Sequence, residues 1–106
     1  MEGKVTQVKV SSEGKTARVL FPADFRIGGA KAFMAAVSRV IRKKPEAVIL
    51  DATALERVDA AALQATVVAW RAMKNAGVAV RWEKLPTGLV DSARLLGLAL
   101  AAGIEA

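Results

Sequence analysis

The sequence predicts one α/β domain, residues 1–106, built as an open sandwich in which a mixed β-sheet carries packed helices, in the order ββαβαβα with a short tail. Three observations predict it. Residues 4–10 and 15–21 alternate apolar and polar side chains with the period of a strand. Two later stretches, beginning near Ala30 and Ala60, repeat apolar residues at helical spacing. The apolar runs "EAVILD" and "VAVRWEKL" flank the second of these helices, and a strand, a helix and a strand in that order form a right-handed crossover with parallel strands. A chain of 106 residues hides about two thirds of its unfolded surface, enough for one core.

Each element has its own signal. "GKVTQVKV" and "KTARVLF" are separated by "SSEG" at residues 11–14, which reads as the turn of an antiparallel hairpin. "PADFRIGGA" reads as a loop, with Pro22 and the Gly28-Gly29 pair as breakers. Ala30, Phe33, Met34, Val37, Val40 and Ile41 then share one helical face, opposite Lys31, Ser38, Arg39 and Arg42, and this helix ends near Lys44-Pro45. Residues 47–50 are apolar throughout, as a central strand buried on both faces requires, and are expected to run parallel to residues 79–82. The helix from about Ala60 stops at Asn75-Ala76-Gly77. After Pro86, Thr87 is expected to cap a third helix carrying Leu89, Val90, Ala93 and Leu96 and closing at Gly97. The tail "LALAAGIEA" suits either a short strand or a helical turn.

Composition removes much chemistry. The chain has no Cys and no His, which excludes disulfides, thiol nucleophiles, most zinc sites and the commonest general base. No metal and no cofactor is expected, no catalytic residue is assigned, and the protein is expected not to be an enzyme. Charges interrupt every apolar run well before the ~18 residues of a membrane span. "MEGKVTQVKV" lacks a secretory apolar core, so a cytoplasmic protein without membrane insertion is expected. The net charge of +6 raises the question of nucleic acid. Yet the basic residues are scattered, aromatic interleaving is missing, and the one cluster, Arg39, Arg42, Lys43 and Lys44, ends a helix, where cations complement the dipole. Nucleic acid therefore ranks below a protein partner.

Asp51 and Asp59 fall in the connection beyond the carboxyl end of a parallel strand, where open α/β sheets place their sites. A phospho-accepting receiver site does not fit, because the first strand ends "VKVSSEG" without the acids that would hold magnesium. Nor does paired-carboxylate hydrolysis, since both acids lie on one loop without an aromatic groove. Asp59 reads as the N-cap of the second helix. Gly28-Gly29 belongs to neither GxGxxG nor GxxxxGK[ST], so no phosphate cradle is assigned. Trp70 and Trp82 read as core or core edge. The second helix is unusual: Gln64, Arg71, Lys74 and Asn75 form a narrow polar stripe, while Ala61, Ala65, Val68, Ala69 and Ala72 extend the apolar surface beyond what one sheet face covers. Either the helix is simply alanine-rich, or a partner covers its second side, a homodimer included.

The opening hairpin, "GGAKAFMAAVSRVI", "EAVILDATALERVDAAAL", "VAVRWEKLP" and "TGLVDSARLLGL" together resemble a STAS domain over nearly the whole chain. That family groups anti-sigma-factor antagonists, sulfate-transporter tails, and stand-alone proteins of chemotaxis operons and phospholipid-transport ABC systems. The central loop of the family runs Asp-Ser/Thr-Ser/Ala-Gly-Leu; here it is Asp59-Ala60-Ala61-Ala62-Leu63. In the antagonists the resemblance implies a hydroxyl after the Asp that a partner kinase phosphorylates, which ends binding by adding negative charge at the helix start. Ala60 occupies that position and accepts no phosphate. The resemblance thus implies a non-enzymatic, non-phosphorylatable signal-transduction module of a bacterium, its partner-binding residues Asp59, Ala60, Ala61, Gln64 and Arg71. The partner so implied is an anti-sigma kinase or chemotaxis component, or alternatively the ATPase of a lipid-transport ABC system. A nucleotide- or nucleic-acid-binding role is the reading from another class.

Overall fold

The computed structural model describes residues 4–105. Its elements are β1 (Lys9–Glu13), β2 (Thr16–Leu20), β3 (Asp24–Phe25), α1 (Ile27–Arg42), β4 (Ala47–Asp51), β5 (Arg57–Val58), α2 (Ala60–Asn75), β6 (Ala79–Glu83) and α3 (Thr87–Leu95). The main sheet has the order β1-β2-β4-β6, antiparallel between β1 and β2 and parallel thereafter, with Ala47 opposite Thr16 on one side and Ala79 on the other. The expected parallel pairing of residues 47–50 with 79–82 is present, and β4 is the buried inner strand. Its apolar run is what that position requires.

Side-chain alternation splits the sheet into two unlike faces. Ala17, Val19, Val48, Leu50, Val80 and Trp82 point into a single core with the inward faces of α1, α2 and α3. All three Phe residues of the chain meet there: Phe21 lies 5.2 Å from Phe25 edge-on and 5.1 Å from Phe33, and Phe21 also lies 5.2 Å from Trp82. The opposite face carries Arg18, Arg81 and Glu83, and Arg18 Nη1 donates to Asp51 Oδ2 and Glu83 Oε1 at 2.8 Å each.

Several expectations are corrected. The hairpin turn is not "SSEG": Ser11, Ser12 and Glu13 belong to β1, and Glu13 pairs with Thr16 across a two-residue loop, Gly14-Lys15. Gly14 takes a φ of 61°, the sign that glycine supplies at the first position of such a loop. β1 also starts at Lys9 rather than at residue 4. The Gly28-Gly29 pair lies in the first turn of α1, not in a loop. Thr87 is the first residue of α3, and Pro86 holds its N-cap position without a side-chain bond. Of the two forms left open for the tail, the helical turn is present rather than a strand: Ala102 N–H donates to Leu98 O and Ile104 N–H to Ala99 O. The two-residue strands β3 and β5, paired in parallel, are absent from the sequence reading.

The apolar breadth of α2 has mostly internal partners. Ala62 and Ala69 are fully buried, Ala61, Ala65 and Ala72 are half-buried, and only Val68 among the widening residues stays exposed, at 54%. One flank packs on α1; on the other, the Trp70 ring lies so close to Gly103 that a Cβ there would overlap it.

Candidate functional site: the paired helix starts

Two short strands run straight into two helices. β3 and β5 align Asp24 with Arg57 and Phe25 with Val58, so the chains leaving them bring Ile27 and Asp59 side by side. Asp59 takes an extended backbone (φ −117°, ψ 176°) as N-cap of α2, and its Oδ1 accepts from Ala62 N–H at 2.8 Å. Its Oδ2 accepts from Ile27 N–H at 3.0 Å. α1 has no side-chain cap from its own N-cap residue, because the Arg26 guanidinium has only donors; it donates instead to Asp24, Nε–Oδ1 2.6 Å and Nη2–Oδ2 2.8 Å. One carboxylate therefore caps both helices, where two positive dipole ends meet. The N–H groups of Ala62 and then Ile27, with the nearby Arg26 charge, outweigh partial burial and hold the Asp59 carboxyl below its ordinary range.

Beside this cap the first residues of α2 are small, while the Asp24–Arg26 pair lies exposed on the α1 side. Ala60 is exposed, Ala61 half-buried, and Gln64, Val68 and Arg71 continue the outward stripe of α2 at successive turns. Ile27, 72% exposed, stands beside them at the start of α1. The structure thus joins all five sequence-assigned residues, Asp59, Ala60, Ala61, Gln64 and Arg71, at one end and along one face of α2. It adds Ile27, which the sequence reading placed in a loop, and Thr6, which lines a shallow hollow with Asp24, Arg26, Gly28 and Asp59. Nothing local marked either residue, since the neighbours that place them here are distant in sequence, Asp59 being 32 positions from Ile27 and Asp24 the nearest of them to Thr6.

Asp51 belongs elsewhere. Burial works against its ionisation, but the hydroxyl and N–H of Thr53 and the Arg18 guanidinium outweigh it and keep its carboxyl below the usual range. It locks the loop after β4 on the face of the sheet away from the core, so the two acids do not converge. At the helix start, both oxygens of Asp59 are spent on N–H groups and position 60 has no hydroxyl. The nearest downstream hydroxyl on α2, Thr66, is buried and donates to Ala62 O at 2.9 Å. Among the described residues no three potential metal ligands gather, and no helix is long and apolar enough to cross a membrane.

No protein-family model matches the sequence, and no curated protein matches it significantly. Solved structures do. The sulfate transporter family protein from Wolinella succinogenes superposes with a TM-score of 0.73 at 19% identity, over 90% of this chain and 77% of that one. An anti-sigma-factor antagonist (STAS) domain protein from Planctomyces limnophilus gives 0.73 at 14% identity, over 89% and 85%. The crystal structure of Mglu gives 0.70 at 24% identity over 82% of this chain, which spans only 23% of that chain's length. With its mixed sheet β1-β2-β4-β6, its three helices and these structural neighbours, the chain has a STAS-like fold.

Proposed function

We propose that the protein is a non-enzymatic interaction module of the anti-sigma-factor-antagonist type, docking the start of α2 onto a cytoplasmic bacterial signalling protein. One observation carries this reading: Asp59 fixes two helix starts side by side and leaves Ala60, Ile27 and the Gln64–Val68–Arg71 stripe facing solvent. Small and apolar side chains on a rigid helix let another backbone approach closely, and Gln64 and Arg71 supply the polar rim. The Ala at position 60 makes the docking surface permanent, since no phosphate can be added there. The partner is an anti-sigma kinase or a chemotaxis component. A second reading keeps the same docking surface and seats it on the ATPase of a lipid-transport ABC system.

Titration calorimetry against the kinase or ATPase encoded beside the protein tests it. Ala60→Glu would force a carboxylate to lose its water against the partner, and binding is expected to weaken about 100-fold or more, roughly 3 kcal/mol. Ala60→Ser is expected to keep binding. Position 60 is exposed, so the melting temperatures of both variants should stay near that of the parent. Unchanged affinity for Ala60→Glu overturns the reading.

A further inference from the structure

A cleft of about 910 Å3 lies at the other end of the molecule, between β1 and the last turns of α1. Val10 and Val40 give it an apolar floor, and Lys15, Arg39, Lys43 and Lys44 stand around it. Among the described residues Arg39, Lys43 and Lys44 enter no ion pair, and Lys15 is shared only with Glu46, at 3.4 Å on the surface. Among the described residues β1 is the edge of the order β1-β2-β4-β6 on this side, and all five of its residues are exposed. One side of its backbone therefore offers unpaired N–H and C=O groups along the mouth of a cationic cleft.

We propose that this cleft binds an extended acidic peptide segment, which adds to the sheet as a fifth strand along β1. The spacing of the cations favours a strand. Arg39 and Lys43 are four residues apart on a helix, about 6 Å along its axis, and side chains two residues apart on a strand are separated by about 6.7 Å. Carboxylates at alternate positions of an added strand can then meet both cations while its main chain pairs with β1, the mode in which backbone bonds give affinity and alternate side chains give specificity. A compact phosphate fits less well. A single compact anion meets only part of a cation set that includes Lys15, Arg39, Lys43 and Lys44, whereas carboxylates at alternate positions of a strand can reach several of them.

The test uses a fluorescein-labelled ten-residue peptide alternating valine and glutamate, and a peptide of the same composition with its glutamates in one block. Fluorescence polarisation is expected to give at least about tenfold tighter binding of the alternating peptide, because charge alone is equal in the two. Arg39→Gln combined with Lys43→Gln is expected to remove most of that difference without lowering the melting temperature. In NMR titrations the amide signals of Lys9–Glu13 should shift and those of Ala79–Glu83 should not. Equal affinity for the two peptides, affinity indifferent to the double substitution, shifts centred elsewhere, or tighter binding of a duplex DNA in the same cleft would each overturn the proposal.

Discussion

Asp59 does with one carboxylate what two caps ordinarily do, and its consequences can be measured. Asp59→Ala removes the acceptors of Ala62 and Ile27 N–H together, whereas Asp59→Asn keeps one oxygen to accept. Urea denaturation should therefore rank the parent above Asn and Asn above Ala, while Gln64→Ala, exposed and unbonded, stays within about 0.5 kcal/mol of the parent. An order with Ala above Asn would refute the double cap. Asp59, Asp51 and Asp24 all hold their carboxyls below the ordinary range in the folded state. Their ionised forms thus stabilise the fold fully above the unfolded value of about 3.9, and that contribution is lost as pH falls through the folded values. Stability followed by circular dichroism should be flat in these groups from pH 7 to about 5 and decline below about 4, less steeply in Asp59→Ala. A rise in stability from pH 5 to 3 would contradict this assignment. The cap on α2 was legible in the sequence because capping is local, an acid three residues before the N–H it accepts. The bond to Ile27 was not, since it spans 32 positions and depends on how two strands align.

At the scale of elements, what has its own period could be read and what borrows its geometry from a distant partner could not. The apolar face of α1 and the run of β4 declare themselves, and both lie where their patterns place them. β3 and β5 have two residues each, too few to show a period, and exist only because Asp24 meets Arg57 and Phe25 meets Val58. The hairpin misled for a related reason: β1 is an exposed edge, so Ser11, Ser12 and Glu13 can sit in a strand without an apolar side to mark them. In the same way the breadth of α2 did not reveal that its partners are largely α1 and the tail. The tail contact is testable. Gly103 has a φ of 71° and faces the Trp70 ring, so Gly103→Ala meets both backbone strain and overlap. A cost of about 2–3 kcal/mol is expected. Gly77→Ala, at a φ of 79° with open space around it, should cost only about 1 kcal/mol. Equal melting temperatures for the two variants would mean that the tail is not seated on α2.

For the whole molecule, the parallel strands set two working ends apart. The start of α2 follows the carboxyl end of β4, and the cationic cleft lies where β2 and β4 begin. α1 spans from one end to the other, and its 16 residues cover about 24 Å, well beyond the ~8 Å over which charges interact at physiological salt. Ala60→Glu and the Arg39→Gln/Lys43→Gln pair should therefore act independently. Their stability effects are expected to sum within about 0.5 kcal/mol in urea denaturation, and a larger coupling would show that α1 transmits between the ends. A different consequence follows from where the two Trp residues of the chain lie. Trp82 Nε1 donates to Ala102 O at 2.8 Å, and Trp70 abuts Gly103, so both indoles touch the same few residues of the tail. Intrinsic fluorescence then reports tail seating together with the aromatic core that Trp82 shares with Phe21. If the tail lifts before the sheet melts, the emission change will precede the loss of far-ultraviolet ellipticity, and the midpoint read from fluorescence alone will describe a local undocking.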